Sequence, residues 1–300
     1  MGREPAKRDD PLVRRAVAEA IDQHRRAGRE FEAGGVRGFV REEGDGDPVV
    51  LMHGVPVSSF LYRKVVPLLA ERGLRGLAFD LPGMGLAGRP RDFDYTWSGL
   101  GRWTGAAIDA LGIERCHLVL HDIGGPVGLE WAVRNRDRVR SLTVLDTVLA
   151  VDGFHRIWSI ALAAPPLIGR LWIATGRPPI ARWLFYAQGI ADRSATPAHE
   201  VDAHFALLRG DDGGRAYQEI VRGFELTAEK ERLYLGGLRE AGWPARILWG
   251  AKDPALGEDQ RRPIEQALGV EATMLPAKHF LQEDQAPAVA DTIADLAASA

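Results

Sequence analysis

The stretch from Cys116 to Val133 constrains the fold most, because it passes from an apolar run to a helical pattern through a very short connection. Residues 116–120 form a short, bounded apolar run, which is typical of a buried strand. Asp122 and two glycines follow, and apolar residues then recur at helical spacing over 127–133. This order predicts a strand, a tight turn and a helix, with Asp122 at the apex. Such a unit is the geometry of a nucleophile elbow.

An aspartate at this apex predicts a particular chemistry. The apex residue of most such elbows is a serine, which needs a base to remove its proton. A carboxylate has no proton to lose, so Asp122 would attack a saturated carbon directly and form an alkyl ester on the enzyme. Aspartate is also a favoured helix N-cap, and the fragment alone slightly favours that role; the rest of the chain favours the nucleophile.

The remainder of the chain predicts an α/β fold. After an amphipathic helix over 11–30, apolar runs typical of strands alternate with helical patterns. The predicted strands are 36–42, 49–53, 74–80, 116–120, 141–146, 246–250 and 271–275, and the main predicted helices are 60–72, 98–111 and 284–298. Alternation at this spacing favours a mainly parallel sheet with helices on both faces.

The alternation stops between residues 147 and 240. This segment is rich in aromatic side chains, contains two proline pairs and has no convincing strand pattern. Helical periods fit 201–208 and 215–225. We therefore expect residues 1–146 and 241–300 to form the core domain, and residues 147–240 to form an inserted helical lid.

Two further residues complete a predicted catalytic set. Asp253 and His279 each follow a predicted strand, and the chain order Asp122, Asp253, His279 is nucleophile, acid and histidine, as in α/β-hydrolases. His279 has the proton affinity of a general base near neutral pH. Asp146 also ends a strand and is the alternative acid; we favour Asp253 because Gly250 and Pro254 would form a turn that presents it.

The motif His53-Gly54-Val55-Pro56 follows another predicted strand. Its turn would direct the backbone N–H of Val55 inward, and the N–H of Ile123 would form the second donor. This pair is the predicted oxyanion hole for the tetrahedral intermediate.

Composition excludes several other classes of protein. Hydrophobic residues form 46% of the chain and charged residues 26%, with a net charge of −3, so we expect no nucleic-acid or membrane partner. The single cysteine, Cys116, lies in a predicted strand and is expected to be a buried thiol. The charged first ten residues carry no apolar signal segment, and we expect a cytoplasmic protein.

Together these motifs resemble the α/β-hydrolase superfamily, in its aspartate-nucleophile branch of haloalkane dehalogenases and epoxide hydrolases. The matching segments, in chain order between residues 53 and 284, are HGVP, FDLPGMG, LHDIGG, WGAKDP and KHFLQED. The surroundings of His279 are similar to dehalogenases whose acid follows the seventh strand, which implies Asp253. Other members place the acid where Asp146 stands.

The departures from that family bear on the leaving group. Haloalkane dehalogenases usually bind halide with a tryptophan directly after the nucleophile, and many add an asparagine after the His-Gly pair. This chain has Ile123 and Val55 there, so a lid tryptophan (Trp158, Trp172 or Trp183) would have to donate instead. Epoxide hydrolases protonate the leaving oxygen with lid tyrosines, or with a histidine and a tyrosine. The candidates here are Tyr186, Tyr217, Tyr234, His155 and His204.

The sequence thus predicts a hydrolase that needs no metal or organic cofactor. Its substrates would be water and a small to medium apolar molecule, and the protein would be a monomer or a homodimer. The resemblance implies epoxide hydrolysis first and haloalkane dehalogenation second. A binding protein that keeps a hydrolase scaffold, with an idle triad, is the remaining alternative.

Overall fold

An eight-stranded sheet organises the computed structural model, which describes residues 11–175 and 178–300. The strands are β1 (Gly28–Ala33), β2 (Val36–Glu43), β3 (Asp47–Met52), β4 (Leu74–Phe79), β5 (Cys116–Asp122), β6 (Val139–Thr147), β7 (Ala245–Gly250) and β8 (Thr273–Leu275). Their order in the sheet is β1-β2-β4-β3-β5-β6-β7-β8. The β1–β2 and β2–β4 pairs are antiparallel and the others are parallel. The predicted mainly parallel sheet is therefore confirmed.

In the described residues, helices alternate with strands from β3 to β6. They are α1 (Pro11–Arg26), α2 (Val65–Glu71), α3 (Trp97–Ala110), α4 (Gly124–Ala132), α5 (Trp158–Ala161), α6 (Pro166–Thr175), α7 (Pro178–Gln188), α8 (Ala198–Arg209), α9 (Arg215–Arg222), α10 (Ala228–Ala241), α11 (Glu258–Leu268), α12 (Leu281–Asp284) and α13 (Ala286–Ser299). Short 3₁₀ helices cover Ser59–Arg63 and Arg136–Arg138. Threonine side chains cap two of these helices: the Thr96 hydroxyl accepts a hydrogen bond from the N–H of Gly99 at the start of α3, and the Thr227 hydroxyl accepts one from the N–H of Lys230 at the start of α10.

Both faces of the sheet are covered, as predicted. Side chains alternate along β3, so that Val49 and Leu51 join one apolar cluster whereas Val50 and Met52 join another. The helices α2 and α13 pack together beside the first cluster, and α3 and α4 pack together beside the second. Burial on both faces explains why the central strands are continuous apolar runs.

Six helices, α5 to α10, lie between β6 and β7. Within this segment α6 packs against α9 and α7 against α8. The last of the six, α10, packs instead against α4 and α11 of the sheet region. The division into a core domain and a lid at residues 147–240 stays a prediction, and we use "lid" below for residues 147–240.

Two local expectations were wrong. The predicted helix over 11–30 ends at Arg26, because the chain reverses there and β1 pairs antiparallel with β2. Gly28 permits this pairing: a Cβ there would lie 2.3 Å from the carbonyl oxygen of Val40. The helix α11 was not predicted at all. Its residues are mostly polar, so it has only a narrow buried face.

Cys116 is a buried free thiol, as predicted, and burial raises its pKa to about 12. The expectation of no signal segment concerns residues 1–10, which lie outside the described residues. Every helix in the described part of the chain is too short or too polar to cross a lipid bilayer.

Candidate active site

The elbow predicted from the sequence lies at the end of β5. Asp122 ends that strand with a backbone φ of +50°, in the left-handed region that non-glycine residues rarely occupy. The next helix, α4, begins at Gly124 without a side-chain cap, so the Asp122 carboxylate does not act as its N-cap. A Cβ on Gly124 would lie 2.8 Å from the carbonyl oxygens of Met52 and His53, so glycine lets α4 approach β3.

Backbone N–H groups hold the Asp122 carboxylate. The N–H of Val55 donates to Asp122 Oδ1 over 2.8 Å, and the N–H of Ile123 also favours the charged carboxylate. A Cβ on Gly54 would lie 2.1 Å from Asp122 Oδ1, which explains why this turn requires glycine. The structure thus brings the two predicted oxyanion donors to the predicted nucleophile.

The ring of His279 lies between two carboxylates. Its Nδ1 donates to Asp253 Oδ2 over 2.9 Å, and its Nε2 lies 3.4 Å from Asp122 Oδ2. Asp253 is itself fixed, because its Oδ1 accepts hydrogen bonds from the N–H groups of Ala255 at 2.7 Å and Leu256 at 3.2 Å. The predicted nucleophile, histidine and acid therefore meet at the carboxyl ends of β5, β7 and β8.

The alternative acid, Asp146, lies close by in a different environment. It is fully buried, and both its oxygens accept from the N–H of Gly250, at 2.9 and 3.2 Å. Burial raises its pKa well above the usual range, and the charge of Asp253 adds to that shift. Burial and the neighbouring charge therefore favour the protonated form of Asp146.

Asp146, Asp253 and His279 each place one potential metal-ligand atom within 4.8 Å of the others. Hydrogen bonds already account for this spacing. The proton on His279 Nδ1 joins Asp253, and the N–H of Gly250 fills the side of Asp146 that faces β7. A cation between them would displace the proton from Nδ1, so we interpret the cluster as a hydrogen-bonded set.

The charges of the site stabilise one another. Burial acts to raise the pKa of Asp122, but the hydrogen bond from His279 and its charge outweigh this effect and hold the pKa below its ordinary value. Burial acts to lower the pKa of His279, but the charges of Asp253 and Asp122 and the hydrogen bonds to both raise it well above the usual range. Each group therefore favours the charged form of the other.

Two neutral histidines support this arrangement, and the sequence did not reveal either role. His121 Nε2 donates to the backbone oxygen of His279 over 2.9 Å, and burial together with the charge of His279 lowers the pKa of His121 to about 3. His53 Nδ1 donates to the Gly54 carbonyl oxygen over 2.8 Å, and its Nε2 accepts from the Leu81 N–H over 3.0 Å. The first hydrogen bond fixes the backbone at His279, and the other two fix the turn that carries the N–H of Val55.

A cavity of about 140 Å³ opens onto Asp122 and His279. Most of its walls are apolar and come from the lid and from residues at the ends of β3, β5, β7 and β8. The lid contributes Phe154, Ile157, Ile160, Trp172, Ile173, Ile180, Leu184, Phe185, Phe205, Leu208, Tyr217 and Phe224. Such a lining suits an apolar molecule of small to medium size.

Of the five lid residues predicted as proton donors, Tyr217 lines this cavity. It is buried, and no described residue accepts a hydrogen bond from its hydroxyl. Burial, and then the charge of Asp122, raises its pKa, so the hydroxyl keeps its proton.

The other four candidates lie elsewhere. Tyr186 donates to the Thr196 oxygen at 2.8 Å, and Tyr234 donates to Glu130 at 2.9 Å. His204 lies in a buried contact with Glu283, and His155 is exposed.

The lid tryptophans do not supply a free indole N–H to this cavity. Trp172 lines the cavity, but its Nε1 donates to the Ser159 carbonyl oxygen over 3.1 Å. Trp158 and Trp183 do not line the cavity, and they are 53% and 59% exposed.

Four polar lining residues were missed by the sequence analysis: Arg156, Ser159, Gln188 and Arg209. Their only signal was their position within the lid. Which of its many side chains point into the cavity depends on how the helices pack, and no motif marks these four.

Comparisons with known proteins agree with this architecture. A family model described as alpha/beta hydrolase fold matches residues 47–286. The chain is 31% identical over 268 residues to haloalkane dehalogenase 2 of Mycobacterium tuberculosis, which covers 84% of this chain and 88% of the relative. It is 30% identical over 259 residues to a haloalkane dehalogenase of Mycobacterium marinum, covering 83% and 84%.

Among solved structures, the epoxide hydrolase CorEH without ligand is similar with a TM-score of 0.76. The alignment covers 91% of this chain and 98% of that one at 19% identity. At this identity the likeness concerns the fold alone.

Proposed function

Because the chain belongs to the α/β-hydrolase superfamily, in the branch of haloalkane dehalogenases and epoxide hydrolases, and is a hydrolase of that family, we propose that it hydrolyses epoxides. The observation that carries the proposal is Tyr217. Its protonated hydroxyl lines the same cavity as Asp122 and has no acceptor among the described residues. A proton donor at this place serves a leaving oxygen, whereas a halide leaves without a proton.

In the first step, an Asp122 carboxylate oxygen attacks one carbon of the epoxide and the bond from that carbon to the ring oxygen breaks. The oxygen takes the proton of Tyr217, which later regains one from solvent. The lowered pKa of Asp122 keeps the nucleophile ionised, and its side chain is 15% exposed toward the cavity. The product of this step is a hydroxyalkyl ester on Asp122.

In the second step, His279 Nε2 takes a proton from a water molecule, whose oxygen attacks the ester carbon of Asp122. The N–H groups of Val55 and Ile123 stabilise the resulting oxyanion. The intermediate expels the diol oxygen, which takes the proton from His279, and leaves Asp122 as a carboxylic acid. This acid loses its proton to solvent, which balances the proton that Tyr217 regains, and the carboxylate is restored. Asp253 holds His279 in the tautomer and orientation that this step needs.

The electrostatics of the site support this order of events. In the resting site, Asp122 helps to raise the pKa of His279. Ester formation removes the charge of Asp122, so the pKa of His279 falls and the ring releases its proton to solvent. The neutral Nε2 can then take a proton from water. The nucleophile thus prepares the base for the second step by losing its own charge.

Haloalkane dehalogenation is the second candidate, because the curated relatives named above are dehalogenases. A departing halide needs donors that bind an anion. Ile123 and Val55 carry no side-chain N–H, and the indole of Trp172 already donates to Ser159. Gln188 and Arg156 would have to replace the usual tryptophan.

The test uses a His279→Gln variant, in which the ester forms but is not hydrolysed. The variant is incubated separately with a terminal epoxide and with a bromoalkane of the same chain length. Intact-protein and peptide mass spectrometry then measure the adducts. We expect the mass of the whole epoxide on Asp122, and no adduct in a double variant that also carries Asp122→Asn. Wild-type enzyme should release the diol.

A further Tyr217→Phe change in the His279→Gln background separates the two leaving groups. It should slow epoxide adduct formation by about 100-fold or more, the usual contribution of a general acid. Alkylation by the bromoalkane needs no proton and should change much less. An adduct from the bromoalkane with free bromide, and none from the epoxide, would establish dehalogenation instead. No adduct from either would favour a binding protein.

A further inference from the structure

Arg156 places a guanidinium on the wall of the catalytic cavity without an anionic partner. It lies in the loop between β6 and α5, lines the same cavity as Asp122 and is half-buried. Its Nε is buried and has no hydrogen-bond acceptor, and among the described residues no carboxylate forms an ion pair with it. Phe224 is its main neighbour: the guanidinium carbon lies 4.8 Å from the centre of that ring.

Two other lid arginines have carboxylate partners. Arg182 pairs with Asp202, and Arg215 lies 3.5 Å from Asp212. Arg156 instead is partly desolvated and lies over the ring of Phe224. Because this contact uses the flat face of the guanidinium, the N–H groups at its edge stay available for hydrogen bonds. A buried donor without an acceptor is costly, and on the wall of a cavity a ligand can supply the missing acceptor.

The chemistry of such a donor selects its ligand. Guanidinium presents paired N–H groups that match the two oxygens of a carboxylate, and the interaction strengthens where water is excluded. The charge also serves a second purpose. An anionic substrate would be repelled by the Asp122 carboxylate, and a cation on the cavity wall offsets that repulsion.

We propose that Arg156 binds a carboxylate of the substrate, so that the enzyme acts on epoxides that carry a carboxylate on a short apolar chain. This rests on the epoxide hydrolysis proposed above. The carboxylate lies against Arg156 in the lid, the apolar chain fills the cavity, and the epoxide meets Asp122 and Tyr217. The neutral apolar substrate expected from the sequence is thereby narrowed to an amphipathic one.

The test compares an ω-epoxy carboxylate of about six carbons with its primary amide, which has the same length and no charge. The measured quantity is the ratio of kcat/KM for the acid to that for the amide. In the wild-type enzyme we expect a ratio of about 10 to 100, the usual worth of a charge-assisted pair. Arg156→Gln should reduce the ratio to about 1, and Arg156→Lys, which keeps the charge without the paired donors, should keep part of it.

Arg209→Gln is the matched control, because Arg209 lines the same cavity and donates to the Ile173 carbonyl oxygen. It should keep the wild-type ratio. A ratio that collapses in Arg209→Gln and persists in Arg156→Gln would overturn the assignment. So would a wild-type ratio near 1.

A binding measurement separates this inference from the proposed reaction. Calorimetry with hexanoate and hexanamide measures recognition without turnover. Arg156→Gln should weaken hexanoate binding by about tenfold or more and abolish the preference over the amide. Hexanoate binding through Arg156 without epoxide turnover would refute the reaction and keep the carboxylate site. Turnover of both epoxides at equal efficiency, with no preference for hexanoate, would keep the reaction and refute the site.

Discussion

Asp146 and Asp253 present carboxylate oxygens within 4.8 Å of each other, yet only Asp253 accepts the hydrogen bond from His279 Nδ1. Two carboxylates at this separation do not both ionise easily in a buried site. The two carboxyl groups have different surroundings. Burial and the charge of Asp253 raise the pKa of Asp146, whereas Asp253 faces the ring of His279. Asp253 contacts the ring of His279, and Asp146 lies against the backbone N–H of Gly250.

This division predicts unequal effects of amide substitutions. Asp253→Asn should lower kcat by about 10⁴-fold, because it disturbs the tautomer and orientation of His279. Asp146→Asn should lower kcat by less than about tenfold. The amide oxygen can still accept from the N–H of Gly250, and asparagine tolerates the positive φ that Asp146 adopts. Steady-state hydrolysis of an epoxide measures both. A larger loss in Asp146→Asn would identify Asp146 as the acid.

The two chemical steps should depend on pH differently. The pKa of Asp122 is lowered, so ester formation should stay constant down to about pH 5, above the ordinary aspartate value of about 3.9. Ester hydrolysis requires neutral His279, whose pKa Asp253 keeps raised, so its rate should fall about tenfold per pH unit on the acid side of that pKa. Acid quench and mass spectrometry of the wild-type enzyme should therefore show ester accumulating as the pH is lowered. A parallel fall of both steps would contradict this assignment.

The site residues at the edge of the sheet could be predicted because local sequence patterns fix where the strands end. Asp122, Asp253 and His279 each follow an apolar run, and the carboxyl ends of parallel strands meet at one edge. What the sequence left open was the choice between Asp146 and Asp253, since both follow strands. That choice depends on the turn after β7, where the N–H groups of Ala255 and Leu256 orient Asp253 toward His279.

The lid was less predictable for a physical reason. Its aromatic and charged residues are spread along several helices, and their direction depends on helix packing rather than on local pattern. Tyr217 was one of five candidates of equal standing, and Arg156 was not a candidate. Tyr186 and Tyr234 have the same side chain as Tyr217, but their hydroxyls are occupied by Thr196 and Glu130. Only the packed structure distinguishes them.

Gly54 should be essential for the position of the nucleophile. In Gly54→Ala the added methyl would lie 2.1 Å from Asp122 Oδ1 and 2.5 Å from its Cγ, so the carboxylate must move. A displacement of about 1 Å in a reacting group costs about 100-fold, and we expect at least this loss in the rate of ester formation. Gly236→Ala is the control, because no atom lies within 4 Å of its added methyl. It should keep full activity and raise the free energy of unfolding by about 0.5–1 kcal/mol. Equal activity in the two variants would refute this role of Gly54.

Glu283 should stabilise the contact between the lid and the sheet region. Its buried carboxylate accepts hydrogen bonds from Arg63 at 2.8 Å and from Thr196 and His204 of the lid at 2.8 and 3.0 Å, and it lies 2.8 Å from Lys64 Nζ. Burial acts to raise its pKa, but the charge of Arg63 and the hydrogen bonds from His204 and Arg63 hold it well below the usual range. The charged form is therefore stabilised by folding.

Glu283→Gln should lower the free energy of unfolding by about 3–5 kcal/mol near neutral pH, because it leaves the buried cations short of an anion. Since the pKa is lower in the folded protein, this contribution is complete above the unfolded value of about 4.3 and disappears as the pH falls through the folded value. Urea unfolding of both proteins between pH 7 and pH 3 should show the difference closing on the acid side. Glu240→Gln removes an exposed pair with Arg136 and should cost less than about 1 kcal/mol. If Glu283→Gln lowers the free energy of unfolding by no more than this control does, the contacts of Glu283 contribute only specificity of packing. Apolar contacts then hold the lid.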